Sequence, residues 1–144
     1  LLSLPSTFSM ANEDHDMANQ SQVLATLDAL IAAIESRDTD AIAAVYSETF
    51  RGPQGATGKD GAAAYFNALF AMKVLDGATI DRSQAAVIID GDTARAEPVI
   101  YRTNGGTAVY RYELRKDSGN WRITGSTQMP APGRGESLLL RPPR

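Results

Sequence analysis

Few side chains in this sequence can serve as nucleophile, base or metal ligand, and their spacing narrows the field further. There is no cysteine, so thiolate nucleophiles, disulfides and thiolate metal sites drop out together, and the redox compartment is left open. The one histidine, His15, stands in Asn12-Glu13-Asp14-His15-Asp16, ahead of the first periodic stretch. Carboxylates and imidazole are metal ligands, but a solvated polar segment near a terminus is the plainer reading, and no metal is expected. With His15 placed there, mechanisms needing a histidine base or a Ser–His pair inside a core are excluded. No phosphate-cradling glycine loop, metal-ligand spacing or nucleophile elbow occurs, so no cofactor is expected.

What remains is phenols and scattered carboxylates. A buried phenol needs a hydrogen-bond partner, which a bound molecule can supply, and this singles out Tyr46, Tyr110 and Tyr112. Acid–base work wants an ionisable group held inside with a shifted pKa. Asp81 and Arg82 open a strand on opposite faces, so one of them should point toward the mouth of whatever the strands enclose. Tyr46, Tyr110 and Asp81 are therefore the catalytic candidates, and a solvated strand end is the competing account of Asp81. Glu35, Asp38 and Asp40 read as helix-end charges.

The elements that must position these groups follow from periodicity. Apolar residues at Val23, Leu24, Leu27, Leu30, Ile31 and Ile34 form one buried stripe and predict a helix over 19–37. Asp38 is an N-cap for a short second helix in which Ile42, Val45 and Tyr46 share a face. Gly52-Pro53-Gln54-Gly55 breaks the chain, and a third helix is expected over 59–73 with Tyr65, Phe66, Leu69, Phe70 and Met72 toward the core. After Asp76-Gly77 the period becomes two. Strands are expected over 78–89, 93–103, 106–116 and 120–128, divided by Asp90-Gly91, Asn104-Gly105-Gly106 and Asp117-Ser118-Gly119. Three helices followed by an antiparallel meander make an α+β domain.

The whole chain fits one such domain. It has 144 residues, 43% hydrophobic and 22% charged, with a net charge of −3. That charge gives no reason to expect nucleic acid, and no apolar run approaches the roughly 20 residues of a membrane span. Residues 1–18 read as a disordered or non-native segment with Met10 or Met17 as natural starts, 19–129 as the domain and 130–144 as a tail. A cytoplasmic location is expected, with a truncated signal peptide as the alternative reading of the apolar Leu1–Phe8 stretch and Ser9-Met10-Ala11. In the tail, Met129-Pro130-Ala131-Pro132-Gly133 is a linker, and Leu138-Leu139-Leu140 could dock on a partner or on the domain.

Three stretches carry a family resemblance: Ala32-Ala33-Ile34-Glu35-Ser36-Arg37-Asp38-Thr39-Asp40-Ala41-Ile42 with Tyr46, then Gly58-Lys59-Asp60, then Gly119-Asn120-Trp121-Arg122-Ile123. In order and spacing, over roughly residues 20–128, they resemble the nuclear transport factor 2-like superfamily. This superfamily includes ketosteroid isomerases, scytalone dehydratase, limonene epoxide hydrolases and SnoaL-like polyketide cyclases. The resemblance implies a cone-shaped α+β barrel: three N-terminal helices packed in a curved antiparallel sheet around a mostly apolar pocket. It also implies homodimers through the outer sheet face. It fixes architecture and not reaction. The isomerase tyrosine falls at Leu30, its base at Gly52 and its acid donor at Tyr110 or Ala108, while Tyr46 matches a supporting tyrosine. Of the epoxide hydrolase Asp–Arg–Asp set, the Arg position falls on Pro98, an Asp position on Ile100 and the last Asp near Ser126. Neither set is present, and whether the chain is an enzyme stays open.

Strand alternation then proposes the pocket wall: Ala96, Pro98 and Ile100, then Tyr110, Tyr112 and Leu114, then Thr124, Ser126 and Gln128. The ligand-binding set is Leu30, Tyr46, Tyr65, Phe66, Leu69, Met72, Ile100, Tyr110, Tyr112, Ser126 and Gln128; core packing is the competing account of every apolar member. Arg95 and Glu97 read as an outward pair. Val99, Tyr101, Trp121 and Ile123 fall on one outward face and suggest the dimer contact. The reading is a binding pocket for a small apolar or aromatic molecule. The alternatives are a SnoaL-like enzyme with a different acid–base set and a protein–protein interaction domain.

Overall fold

In the computed structural model the described backbone covers residues 3–130, with side chains from Met17 onward apart from Gln54. Helix α1 runs Ser3–Glu35, α2 Thr39–Ala44 and α3 Gly58–Ala71. The strands are β1 Tyr46–Arg51, β2 Thr79–Asp81, β3 Ala86–Asp90, β4 Thr93–Thr103, β5 Gly106–Asp117 and β6 Asn120–Met129. One sheet in the order β1-β6-β5-β4-β2, with β3 also on β4, curves over the helices. This is the cone expected from the sequence, and the three hairpin turns fall where expected. Gly91 and Gly119 take positive φ there, as tight turns require.

The buried stripe of α1 is Val23, Leu27, Leu30 and Ile34, four residues lying on one face. The helix nevertheless starts at Ser3, well before Asn19. An apolar stripe marks only where a helix touches a core, and no glycine interrupts 3–18. The side chain of His15 and the tail from Ala131, including Leu138–Leu140, lie outside the described residues.

Two element boundaries differ from the periodicity reading. Helix α2 is capped by the Asp38 carboxylate, which accepts from the Ala41 amide at 3.1 Å, but it stops at Ala44. Tyr46 instead opens β1, which pairs parallel with β6. Tyr46 and Phe50 share a face there, with ring centroids 4.6 Å apart and nearly perpendicular. The intervening Ser-Glu-Thr looks like loop in isolation; only the partner strand makes it sheet. The expected strand over 78–89 is also two strands. The Asp81 carboxylate accepts from the Ser83 amide at 2.7 Å and closes a turn between β2 and β3.

Two irregularities in the ladder decide which side chains face inward. Between Ala96 and Val99 the β4–β5 register shifts, and a second shift falls beside Glu113 and Leu114 on β5, opposite Thr124 of β6. Each inserts a residue, so the alternation restarts one step out of phase. Beyond the first, Val99, Tyr101 and Thr103 face the helices while Ile100 and Arg102 face outward. Beyond the second, Trp121 and Ile123 face the helices, at 3% and 0% exposure. The proposed outward face of Val99, Tyr101, Trp121 and Ile123 is thus corrected: all four belong to the core cluster.

A polar clasp fixes α1 to the sheet end. Asn19 is buried, and its Oδ1 accepts from Lys116 Nζ at 3.2 Å and Trp121 Nε1 at 3.4 Å. Thr26 Oγ1 donates to the Trp121 carbonyl. Asp28 holds Arg82 by two bonds of 2.8 and 2.9 Å.

Candidate functional site

Between α3, β1 and the inner face of β4–β6 lies a cavity of about 130 Å³. Its floor is Tyr46, Phe50, Ala62 and Phe66, and its wall is Tyr101, Tyr110, Tyr112 and Ser126. Leu69, Val74 and Leu75 reach it from the end of α3 and the turn that follows, with Tyr65, Pro53, Thr103 and Ala108 completing the lining. The chain contains five tyrosines, and every one of them lines this cavity.

The phenols are organised. The hydroxyls of Tyr101 and Tyr112 are hydrogen-bonded at 2.6 Å in a buried setting, and Tyr112 also neighbours the Tyr46 hydroxyl. The Tyr110 ring packs edge-on against Tyr101 at 5.2 Å. Burial raises the pKa of Tyr46 well above that of a free phenol; nearby Tyr101 and Tyr65 add to this, and Tyr112 offsets part of it. Burial likewise raises Tyr101 and Tyr112 and pushes Tyr110 up to about 12, with Tyr65 contributing. At neutral pH these four are uncharged hydrogen-bond donors. Among the described residues, the lining holds no carboxylate, imidazole, amine or guanidinium.

Of the residues expected to bind a ligand, the structure brings together Tyr46, Tyr65, Phe66, Leu69, Tyr110, Tyr112 and Ser126. Four lie elsewhere. Leu30 is spent in the core under α1. Met72 sits just past the α3 terminus and is 63% exposed. Ile100 is turned to the outer face by the β4 shift, and Gln128 is exposed at the far end of β6. Asp81 also leaves the candidate list. It is paired with Ile100 in register and so faces outward, where it binds Ser83 and lies 3.7 Å from Arg102. Those contacts, Ser83 first, lower its pKa. It is a turn-forming carboxylate rather than an inward acid.

The sequence reading missed Tyr101 and Thr103 because it carried strict alternation through Pro98. A proline cannot donate to a ladder and marks edges or bulges, so that signal was available. Phe50 and Pro53 were missed with β1. On the outer face, Glu97 accepts from Arg111 at 3.1 Å and pairs with Arg95 at 3.4 Å, so the outward reading of Arg95 and Glu97 fits the geometry.

Residues 23–128 match the SnoaL-like domain family. The chain belongs to that family. Among solved structures, this SnoaL-like chain is similar to a nuclear transport factor 2-like protein with a cystatin-like fold from Novosphingobium aromaticivorans. The TM-score is 0.67 at 18% identity, covering 90% of this chain and 94% of the other. It is also similar to a protein of unknown function with a cystatin-like fold from Nostoc punctiforme, with TM-score 0.66, 18% identity and coverages of 79% and 92%. A nuclear transport factor 2-like protein of unknown function from Pseudomonas putida matches with TM-score 0.65, 18% identity and coverages of 80% and 88%. At such identities the likeness is one of fold. The curated proteins give no match. Among the described residues no helix is long and apolar enough to cross a membrane, and no group of three His, Cys, Asp or Glu is placed to hold a metal ion.

Proposed function

We propose that this SnoaL-like domain binds a small apolar or aromatic molecule in the tyrosine-lined cavity and holds it without transforming it. The observation that carries this is the lining itself: five phenols and a set of aliphatic and aromatic side chains, with no other ionisable group among the described residues. Phenols whose burial keeps them protonated can donate hydrogen bonds but cannot take a proton near neutral pH. Apolar walls with a few convergent polar groups are the usual make-up of a small-molecule site. A protein that worked as an interaction domain alone would have no need to leave this space open.

A thermal-shift screen of the purified chain against monocyclic aromatics, terpenoids, steroids and acyl compounds tests the reading. A ligand at 100 times its Kd stabilises the native state by about 2.7 kcal/mol, which raises Tm by several degrees. A flat response across the set would overturn the proposal. Turnover of any bound compound, lost on changing a lining tyrosine to phenylalanine, would replace holding by catalysis.

The homodimer stays a proposal, on different residues from those first expected. The outer face carries a groove lined by Ile88, Arg95, Glu113 and Arg115, and Ile88 is half exposed there. Light scattering that finds only a 15.4 kDa particle would retire it.

A further inference from the structure

Building on the proposed binding role, the contents of the cavity narrow the ligand class. We infer that the ligand is an uncharged, single-ring molecule bearing a carbonyl-type oxygen, accepted by the hydroxyl chain of Tyr46, Tyr112 and Tyr101.

Size comes first. A space of about 130 Å³ is close to the roughly 150 Å³ apolar cavity that admits benzene. A fused polycyclic skeleton is larger than benzene by at least one further ring and would overfill that space.

Polarity comes from counting protons. Each phenol has one proton to donate. Among the five, Tyr101 and Tyr112 are hydrogen-bonded, while Tyr46 neighbours Tyr112 and Tyr65 neighbours Tyr110. Five protons meet at most three such pairings, so at least two are left to be directed elsewhere. The lining offers few acceptors for them. The Thr103 hydroxyl already donates to the Gly106 carbonyl and accepts from the Gly105 amide, and Ser126 adds a donor as well as an acceptor. The cavity therefore has surplus donors, and what satisfies it is an oxygen with lone pairs and no proton of its own. A ketone or aldehyde oxygen has two lone pairs and fits. A purely hydrocarbon guest would leave the surplus unmet and bind more weakly for it.

Charge is decided by what is absent from the lining. Among the described residues, a carboxylate guest would meet no cationic side chain in the lining and an ammonium guest no anionic one. Burying either without a counter-charge is strongly unfavourable.

The test uses the full chain and five probes measured by calorimetry: acetophenone, ethylbenzene, benzoate, benzylamine and 2-acetylnaphthalene. Acetophenone should bind about 3- to 10-fold more tightly than ethylbenzene, the ratio expected for one net hydrogen bond. Benzoate, benzylamine and the two-ring ketone should bind weakest. Tyr46→Phe and Tyr101→Phe each shorten the hydroxyl chain. At least one should bring acetophenone down to the ethylbenzene level while leaving ethylbenzene unchanged, which a general loss of folding would not do. The carbonyl stretch of bound acetophenone should shift to lower frequency and return toward its apolar-solvent position in that variant. Equal binding of acetophenone and ethylbenzene, untouched by either substitution, would overturn the inference while leaving the binding role standing. Strongest binding by benzoate, benzylamine or the two-ring ketone would overturn it too. No binding by any of the five probes would overturn it as well, and the broader thermal-shift screen would then decide the binding role by itself.

Discussion

The Tyr101–Tyr112 pair offers the sharpest test of how the cavity is built. Tyr112→Phe removes one hydroxyl from a buried 2.6 Å hydrogen bond. Both rings keep their packing, because Tyr101 and Tyr112 lie in the core cluster at 5% and 3% exposure. What changes is that the Tyr101 hydroxyl loses its partner beside an apolar space. Leaving one buried polar group unmatched costs about 1–3 kcal/mol, whereas replacing both partners by apolar groups of the same shape is nearly neutral. Tyr112→Phe should therefore lose about 1–3 kcal/mol, and Tyr101→Phe somewhat less, because Tyr112 keeps Tyr46 beside it. The double variant Tyr101→Phe with Tyr112→Phe should lose less than the two singles combined, with a coupling of about 1 kcal/mol or more. Urea unfolding at pH 7, with the slope compared across all four proteins, measures this cycle. For a domain of this size each kcal/mol corresponds to roughly 3–6 °C in Tm. Singles that cost nothing, or a double equal to their sum, would mean the two hydroxyls are not bonded in the folded protein. The proton count behind the ligand class would then fall with it.

The raised phenols also set the alkaline limit of stability. Tyr46, Tyr101 and Tyr112 hold their protons more tightly folded than unfolded. Their contribution is complete below about pH 10 and is lost as pH rises past the unfolded value, by up to about 1.4 kcal/mol per pH unit for each. Urea midpoints should be level through neutrality and fall steeply above pH 10; an unchanged midpoint at pH 11 would contradict the burial. Asn19→Ala strips the acceptor shared by Lys116 and Trp121 and should cost about 1–3 kcal/mol. A loss below 0.5 kcal/mol in urea unfolding (roughly the limit for surface changes) would show that the clasp is not formed. Asp81→Asn alters an outward turn residue, so ligand-induced thermal shifts should be unaffected; their loss would return Asp81 to the site.

The fold was legible because it rests on signals that are local in the chain. The α1 stripe is four core residues at helical spacing, and each meander turn carries its own Asp-Gly, Asn-Gly or Ser-Gly chemistry. The site was legible only where a side chain kept the parity of a regular element. Tyr110, Tyr112 and Ser126 share the inward face of β5 and β6, with Tyr112 opposite Ser126, and Tyr65, Phe66 and Leu69 share the α3 face toward the cavity. Tyr46 was found as a phenol on the buried face of an expected helix and by its match to a resembling family, but it in fact opens a strand. A short parallel strand at a sheet edge depends on a partner about 75 residues later in the chain, and periodicity in a local window holds no trace of that.

Pro98 is the residue on which the composition of the cavity turns. Had the alternation set by Ala94 and Ala96 continued, Pro98, Ile100 and Arg102 would face the helices, and Val99, Tyr101 and Thr103 would face outward. The cavity would then hold an aliphatic side chain and a guanidinium instead of a phenol and a threonine hydroxyl. The register shift between Ala96 and Val99 reverses this. It sends Arg102 out to Asp81 and brings Tyr101 in to Tyr112. The same step leaves Glu97 outside, where Arg95 and Arg111 hold it. One residue without an amide hydrogen thus separates a charged interior, which would favour an acidic guest, from the uncharged phenol cluster that is present. The charge selectivity proposed for the site is in that sense a property of the β4 bulge as much as of the tyrosines.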